Sequence, residues 1–298
     1  MEYYLLETFV TVSKTLNLTQ AAGILYKTQP TISHRIKTLE SQLGFSLFVR
    51  NKGKRSLTLT NKGKAFLPIA KDLMRLYGEV EMVQKNVQQS LIISSIDSVG
   101  TTIIPEVCKE LLTKLKVNIT IHTYQTRESY QLIADREVDI AFVSEYRDVK
   151  GVLCEPAFQQ EYYVVKPSAN PTSIRTIHPE ELDSKNEVFQ SWGEEFTSWH
   201  NKWWPEPRTP KIKVDSNALL IPFLTNEESW TIIQAGNILP LQKHMSIQIF
   251  RLDDPPPSRT CYMLTSSVID QYNSQVIDQF KETLTNFISE SENILLTP

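Results

Sequence analysis

The 298-residue sequence predicts an α/β protein in three parts, and three observations predict it. Residues 1–60 combine short, well-capped helical patterns with a basic hairpin. Residues 61–89 form one long amphipathic stretch. From residue 90 to 298, β-prone runs alternate with helical periods, the pattern of mostly parallel sheets covered by helices.

Residues 2–15 read as a first helix with Leu5, Leu6, Phe9, Val10 and Val12 inward. The stretch TQAAGILYKTQPTISHRIKTLESQL, residues 19–43, reads as a helix-turn-helix. Thr19 is the expected N-cap of a short helix carrying Ala21, Ala22, Ile24 and Leu25, and Tyr26-Lys27 makes the turn. Thr28 caps the second helix, with Gln29 and Pro30 in its first turn, where a missing N–H costs nothing. Ile32, Ile36, Leu39 and Leu43 fall at i, i+4, i+7 and i+11 on one apolar face. The opposite face holds Pro30, Thr31, His34, Lys37 and Thr38, with Ser33 beside it. A small, polar, cationic front on an apolar back suits the DNA major groove. An ordinary amphipathic surface helix is the alternative, and the next segment weighs against it. Residues 48–59, FVRNKGKRSLTL, read as a hairpin with NKGKR at its tip, the wing of a winged helix. Arg50, Lys52, Lys54 and Arg55 there suit phosphate contacts.

Charge is segregated in the same sense. Residues 1–89 hold 13 lysines and arginines against 6 acidic residues, a net +7, and the remainder holds 18 against 28, a net −10. A basic head on an acidic body fits nucleic acid at one end and another partner at the other.

Thr60 is the expected cap of a helix over residues 61–87. Phe66, Ile69, Leu73, Leu76, Val80, Val83 and Val87 follow a 3-4 spacing over three heptads, a narrow seam that wants a partner helix. Packing inside the chain would satisfy it, but a helix joining two domains has little else to pack on, so a dimer is expected. Pro68 should kink this helix near its start.

Beyond residue 90 the expected strands are 91–96, 117–124, 138–143, 161–165, 187–190, 211–214, 229–233, 247–252 and 260–265. The expected helices are 100–116, 129–136, 193–204, one from about 216, and a terminal one over 271–290 with Tyr272, Val276, Phe280, Leu284 and Phe287 on one face. Pro255-Pro256-Pro257 is a loop, and there is no internal repeat or low-complexity tract.

Several function classes are disfavoured. The nine glycines are never closer than the nine residues between Gly44 and Gly53, which excludes GxGxxG, Walker A and GxSxG loops. His34, His122, His178, His200 and His244 form no HExxH, and Cys108, Cys154 and Cys261 form no CxxC pair. No catalytic residue, metal set or cofactor is expected. The N-terminus lacks a cationic signal region, and no apolar run approaches the roughly 18 residues of a membrane span. A soluble, cytoplasmic protein without membrane association is expected. Asp97-Ser98-Val99-Gly100-Thr101-Thr102, between a strand and a helix, presents hydroxyls and N–H groups suited to an anion. A hydroxyl-rich cap without a ligand is the alternative. Asp97 within that loop would oppose an anion, leaving cationic or neutral ligands open. Trp192, Trp199, Trp203 and Trp204 crowd together; with Phe196 their helical spacing points to core packing rather than a ligand-stacking box.

Taken together, the residues resemble the LysR-type transcriptional regulators. The resemblance rests on Leu6, Phe9 and Val12, Asn17-Leu18-Thr19-Gln20-Ala21-Ala22, Thr28-Gln29-Pro30-Thr31-Ile32-Ser33, Ile36, Leu39-Glu40, Leu43-Gly44, Leu47-Phe48, Arg50 and Leu59-Thr60-Asn61-Lys62-Gly63. Asp135-Arg136-Glu137-Val138-Asp139-Ile140-Ala141-Phe142 is a weaker match in the C-terminal region, with Glu137 in place of a family glycine. The resemblance implies a winged helix-turn-helix over residues 1–60, a linker and dimerisation helix over 61–89, and an effector domain over 90–298 similar to periplasmic binding proteins. It implies two subdomains, 90–165 with 266–298 and 166–265, joined by crossovers near Val165–Pro167 and Leu264–Ser266. The expected partners are double-stranded promoter DNA, a small-molecule effector and further copies of the chain, as a homodimer or homotetramer. Gln29, Thr31, Ser33 and His34 are expected at base edges beside Pro30, and Arg35, Lys37, Arg50, Lys54 and Arg55 on phosphates. Ser98, Gly100, Thr101, Thr102, Thr126, Arg127, Ser144, Ser191, Asn217 and Asn226 are expected around the effector. Trp230, where many members carry a glycine turn, is expected as a bulky pocket wall. An enzyme fused to a DNA-binding module and a solute-binding protein are the rival classes; the missing catalytic motifs and signal peptide speak against them.

Overall fold

The computed structural model divides into two compact units, Met1–Gln88 and Gln89–Pro298. It describes residues 1–50, 57–85, 89–205, 207, 210–268, 273–291 and 294–296. In the first unit, helix α1 (Tyr3–Thr15) buries Leu5, Leu6, Phe9 and Val12, as the heptad-like spacing requires. Helix α2 (Leu18–Ile24) is capped by Asn17 rather than Thr19: the Asn17 side chain accepts from Thr19 N at 2.9 Å and Gln20 N at 3.2 Å. An asparagine in extended backbone two residues earlier reaches both N–H groups, which a residue inside the first turn cannot do. Helix α3 (Gln29–Leu43) begins as expected, with Thr28 accepting from Thr31 N and Pro30 in the first turn. Ile32, Ile36 and Leu39 enter the core beside Phe9, Ala21 and Leu47.

Strands β1 (Phe48–Arg50) and β2 (Leu57–Leu59) pair antiparallel, Phe48 opposite Leu59. Helix α4 (Asn61–Lys85) starts under the expected Thr60 cap, whose hydroxyl accepts from Gly63 N and donates to Ser46 O, both at 2.8 Å. Gly63 is obligatory there, since a Cβ would run into the Leu47 carbonyl. The helix carries Pro68 in its interior.

The second unit runs β3 (Gln89–Ser95), α5 (Asp97–Gly100), α6 (Ile103–Lys114), β4 (Val117–Thr123), α7 (Thr126–Ala134), β5 (Ile140–Val143) and β6 (Val152–Gln160). It continues through β7 (Tyr162–Pro167), β8 (Arg175–Ile177), β9 (Val188–Gln190), α8 (Glu194–Trp203), β10 (Ile212–Val214), β11 (Thr231–Gln234), α9 (Ile238–Gln242) and β12 (Ile247–Leu252). It closes with β13 (Arg259–Ser266), α10 (Ser274–Ser289) and β14 (Ile294–Leu296). One sheet has the order β14-β6-β13-β5-β3-β4, a second β11-β7-β12-β8, and β9 and β10 form a parallel pair. Helices α6 and α10 cover the first sheet, with Val107, Leu111, Phe280 and Leu284 against Phe142 and Phe158. The second core gathers Tyr163, Val164, Trp199, Trp204 and Trp230.

The departures from expectation have identifiable causes. Residues 152–160, unassigned in the sequence reading, form a nine-residue strand that is mostly exposed or half-buried and so lacks a clean alternation. The helix expected from residue 216 is two 3₁₀ turns, Asn217–Leu219 and Ile221–Phe223, interrupted where Pro222 brings no N–H. Strand β7 belongs entirely to the second sheet and β13 to the first. The chain therefore crosses between subdomains at 160–162 and 253–258, ahead of the expected Val165–Pro167 and Leu264–Ser266. Periodicity marks a strand but carries no information on which sheet it joins. The terminal helix keeps Val276, Phe280 and Leu284 buried, while Gln271 and Tyr272 lie outside the described residues.

Inside the second core, Glu187 and His200 form a buried pair, His200 Nε2 lying 2.9 Å from Glu187 Oε1, with 1% and 5% of the residues exposed. Phe189, Phe196 and Trp204 surround the imidazole. Burial pushes the Glu187 carboxyl above its ordinary value, and the His200 hydrogen bond opposes that shift. Removing one partner of such a pair strands a polar group without water. Glu187→Ala should cost about 3–5 kcal/mol, and Glu187→Leu combined with His200→Phe should cost less than the single change. Urea denaturation of the three proteins checks this; a double variant weaker than Glu187→Ala would show that the pair is more than a satisfied polar contact.

Candidate nucleic-acid face and inter-subdomain cleft

The exposed face of α3 carries Gln29, Pro30, His34 and Lys37. Thr31 and Ser33 are half-buried, and the Thr31 hydroxyl is hydrogen-bonded to Thr28 Oγ1 at 2.8 Å within the cap. Arg35 turns inward: its guanidinium lies 4.7 Å from the Tyr4 ring centroid and donates to Thr8 Oγ1 at 3.3 Å, clamping α3 to α1. Lys54 and Arg55 lie outside the described residues, as does Arg50 beyond its backbone. Two residues stand here that were not among the expected contacts. Tyr26, left 93% exposed by a turn in which its φ is 51°, stands two residues before the α3 cap. Glu40 on α3 accepts from Leu47 N at 2.6 Å and Phe48 N at 3.3 Å, fixing where the hairpin leaves the helix. Its signal was only a glutamate near a helix end, which sequence alone assigns to solvent.

The α4 seam divides. Phe66 is buried in the head core, 5.5 Å from Phe9 and 6.3 Å from Phe45 between ring centroids, so it does not belong to an outward seam. Ile69, Leu76 and Val80 are 53%, 46% and 55% exposed, and Leu73 is half-buried. Val83 and Val87 lie outside the described side chains.

In the second unit the expected effector residues separate into distinct environments. The N–H groups of residues 99–102 are already bonded within the loop, for example Gly100 N to Ile96 O at 2.9 Å and Thr101 N to Asp97 O at 3.1 Å. Thr101 and Thr102 donate their hydroxyls to Asp97 O and Ser98 O. This is a helical turn rather than an open cradle, and the N–H groups of residues 99–102 are taken up within it. Gly100 is a packing glycine: a Cβ there would stand 3.1 Å from Ser95 Cβ. Asp97 does not oppose a ligand at the loop; its carboxylate accepts from Ser216 Oγ at 3.2 Å and Asn217 N at 3.0 Å, reaching from the first subdomain to the second.

Two cavities lie at this boundary. The smaller, about 170 Å³, is mainly apolar and brings together Thr101, Thr102 and Asn217 with Ile233, Asn237 and Leu241. Asn217 Nδ2 donates to Asn237 Oδ1 at 2.6 Å, while Asn217 Oδ1 and Asn237 Nδ2 have no partner. The larger, about 390 Å³, contains Ser144, Tyr146, Tyr162, Trp192, Arg259 and Tyr262 in its wall. Thr126 meets Ser144, Oγ1 to Oγ at 3.3 Å. Three expected residues fall elsewhere. Arg127 is exposed on α7 and lines neither cavity. Asn226 caps its own turn through Glu228 N and Ser229 N, and Ser191 bonds Thr197. Trp230 is no pocket wall: it is 1% exposed, donates to Asp183 O and packs on Trp204. Of the tryptophan cluster, Trp199 and Trp204 are core as expected, but Trp192 also faces the larger cavity. Arg259 was missed because it follows the proline loop as one cation among many, 161 residues from the Ser98 it meets.

Among the described residues, no helix is long and apolar enough to cross a membrane. Residues 4–64 match the bacterial regulatory helix-turn-helix proteins of the lysR family, and residues 84–288 match the LysR substrate binding domain. The chain belongs to the LysR family. A curated relative is the HTH-type transcriptional regulator CitR of Bacillus subtilis strain 168, 29% identical over 197 residues. That match covers 64% of this chain and 65% of CitR, just under two thirds of its length. Among solved structures, full-length OxyR of Pseudomonas aeruginosa superposes with a TM-score of 0.64 at 21% identity, covering 95% of this chain and 94% of that one. Full-length CbnR complexed with its target DNA gives 0.52 at 17% identity, covering 95% of this chain and 100% of that one. These likenesses establish the fold.

Glu40→Ala would leave the N–H groups of Leu47 and Phe48 without their shared acceptor. The expected cost is about 1–3 kcal/mol for the stranded donors, with exchange protection lost at Leu47 and Phe48 while α3 amides stay protected. Unchanged exchange at those two amides would show that the hairpin is positioned by packing alone.

Proposed function

We propose that this chain is a sequence-specific, DNA-binding transcriptional regulator of LysR type, controlled by a small molecule held between the two C-terminal subdomains. The observation that carries the reading is α3. It is a capped helix seated by Ile32, Ile36 and Leu39, with Gln29, His34 and Lys37 left outward on a basic head. A helix with that front fits the major groove, and the following hairpin is placed for the backbone. Family membership supports promoter DNA as the partner, and the boundary cavities support an effector. Ligand binding alters DNA occupancy only by favouring one arrangement of the protein over another.

The regulator acts as a homodimer or homotetramer. Ile69, Leu76 and Val80 form an exposed apolar row on α4, at the spacing a second α4 would cover. A gel shift with the DNA upstream of its own gene tests promoter binding, and a ligand screen by thermal shift tests the effector. Binding at 100 times Kd stabilises by roughly 2.7 kcal/mol.

Two mutational outcomes follow from these assignments. Gln29→Ala should weaken the specific site by about 1–3 kcal/mol and relax its sequence preference, whereas Lys37→Ala should weaken all sequences alike and lower the salt slope by about 1. Equal losses on specific and random DNA for both proteins would overturn the division of roles.

Val80→Glu should bury a charge against its twin and yield monomers by light scattering. Those monomers should bind a palindromic site poorly, because it needs two recognition helices about 34 Å apart. A stable dimer of Val80→Glu would move the interface off this helix.

A further inference from the structure

The larger cavity holds one cation, Arg259, together with three glutamates that do not pair with it among the described residues. Arg259, at the first residue of β13, is partly buried just after the chain crosses back into the first subdomain. Its guanidinium donates to Ser98 Oγ at 3.4 Å and lies 6.0 Å from the Trp192 ring centroid. Among the described residues no carboxylate forms an ion pair with it. Burial pulls its pKa below the ordinary arginine value, and Tyr162, Cys261 and Glu145 act against that shift. An arginine still keeps its proton, so the cleft retains a desolvated positive charge. Such a charge is costly unless something negative completes it.

The surroundings narrow what that something is. A guanidinium presents parallel N–H groups that match the two oxygens of a carboxylate. Glu145, Glu194 and Glu195 line the same cavity, so every negative charge on a ligand meets repulsion, and a single charge meets less of it than a double one. Glu145 is itself paired with Arg147 at 2.8 Å. The walls are aromatic from both sides: Tyr146 and Tyr262 come from the first subdomain, Tyr162, Trp192 and Phe196 from the second. Trp192 is fixed in place, its Nε1 donating to Ile232 O at 2.9 Å. At about 390 Å³ the space suits a molecule of modest size with a flat body between rings.

We propose that Arg259 is the anion receptor of the effector cleft, and that the effector is a small organic monocarboxylate with an aromatic or conjugated body. The carboxylate sits on the Arg259 guanidinium with the Ser98 hydroxyl as a further donor, and the flat body lies among the rings. Because Arg259 and Ser98 belong to the first subdomain and Trp192 to the second, a ligand held by its carboxylate at one end and its flat body at the other spans the two, which gives it a purchase on their closure. This rests on the effector reading above and names the chemistry of that site.

The test uses the full chain and matched probes: benzoate and cinnamate, their neutral amides benzamide and cinnamamide, and inorganic phosphate and sulfate. Thermal shift and intrinsic tryptophan fluorescence are recorded for the wild type, R259K and R259Q. The acids should bind saturably to the wild type, at least tenfold tighter than their amides. R259Q should lose at least tenfold in acid affinity and remove the preference for acid over amide, and R259K should fall between. Amides binding as well as acids would overturn the assigned class, as would phosphate or sulfate binding in preference to every acid. Wild-type affinity in R259Q would overturn the assignment of Arg259, and no response to either acid at millimolar concentration would overturn the proposal altogether. Comparing acid with amide on the wild type keeps the test decisive if R259Q fails to fold. A neutral or cationic metabolite that shifts the wild type while the acids do not would leave the effector reading standing and this proposal refuted.

Discussion

The carboxylate of Asp97 accepts from Ser216 Oγ and Asn217 N across the boundary between the two C-terminal subdomains. A second bond, Gly236 N to Gln160 Oε1 at 2.9 Å, spans the same boundary. Two crossings of the chain and these polar contacts set how the sheets face each other, and both cavities exist because of that placement. The contact also explains why an acidic residue sits in a loop that sequence alone would assign to an anion. Asp97 satisfies backbone and hydroxyl donors of the opposite subdomain. Gly236 allows the approach, since a Cβ there would stand 2.7 Å from Gln160 Oε1 and 3.1 Å from Ile103 Cδ1.

The second core meets a different constraint. Its aromatic side chains carry polar groups that need partners: Trp192, Trp204 and Trp230 donate to Ile232 O, Leu182 O and Asp183 O. These bonds lock large rings into single orientations and leave little freedom for repacking. One edge of that rigid block, Trp192, is also a wall of the larger cavity. Core and cavity therefore share a side chain, and a change at Trp192 would alter the packing and the cavity together.

In the head, helix caps place the outward face of α3. Asn17 and Thr28 fix the two helix starts, and Tyr26 takes up the left-handed backbone that the tight turn between them demands. Arg35 is tied to Tyr4 and Thr8, and Glu40 to the hairpin N–H groups, so α3 is braced on both flanks. A helix braced in this way holds Gln29, His34 and Lys37 outward at defined positions.

The head was legible in the sequence because its information is local. Cap residues, a proline in a first turn and the 3.6-residue period of Ile32, Ile36 and Leu39 act within a few residues of one another. The alternation of strands and helices beyond residue 90 was legible for the same reason, with exceptions at residues 152–160, whose exposed face blurs the period, and at Pro222. The cleft was not legible. Arg259 meets Ser98 from 161 positions away, Asp97 meets Asn217 from 120, and neither pairing leaves a trace in local spacing. The loop at 97–102 looked like an anion cradle because its residue types are right for one. Only the folded chain shows that the N–H groups of residues 99–102 are bonded internally and that a distant arginine, Arg259, stands in the cleft beside Ser98. Sequence determined the elements and their order; which side chains meet between two sheets was decided by where the chain crosses from one to the other.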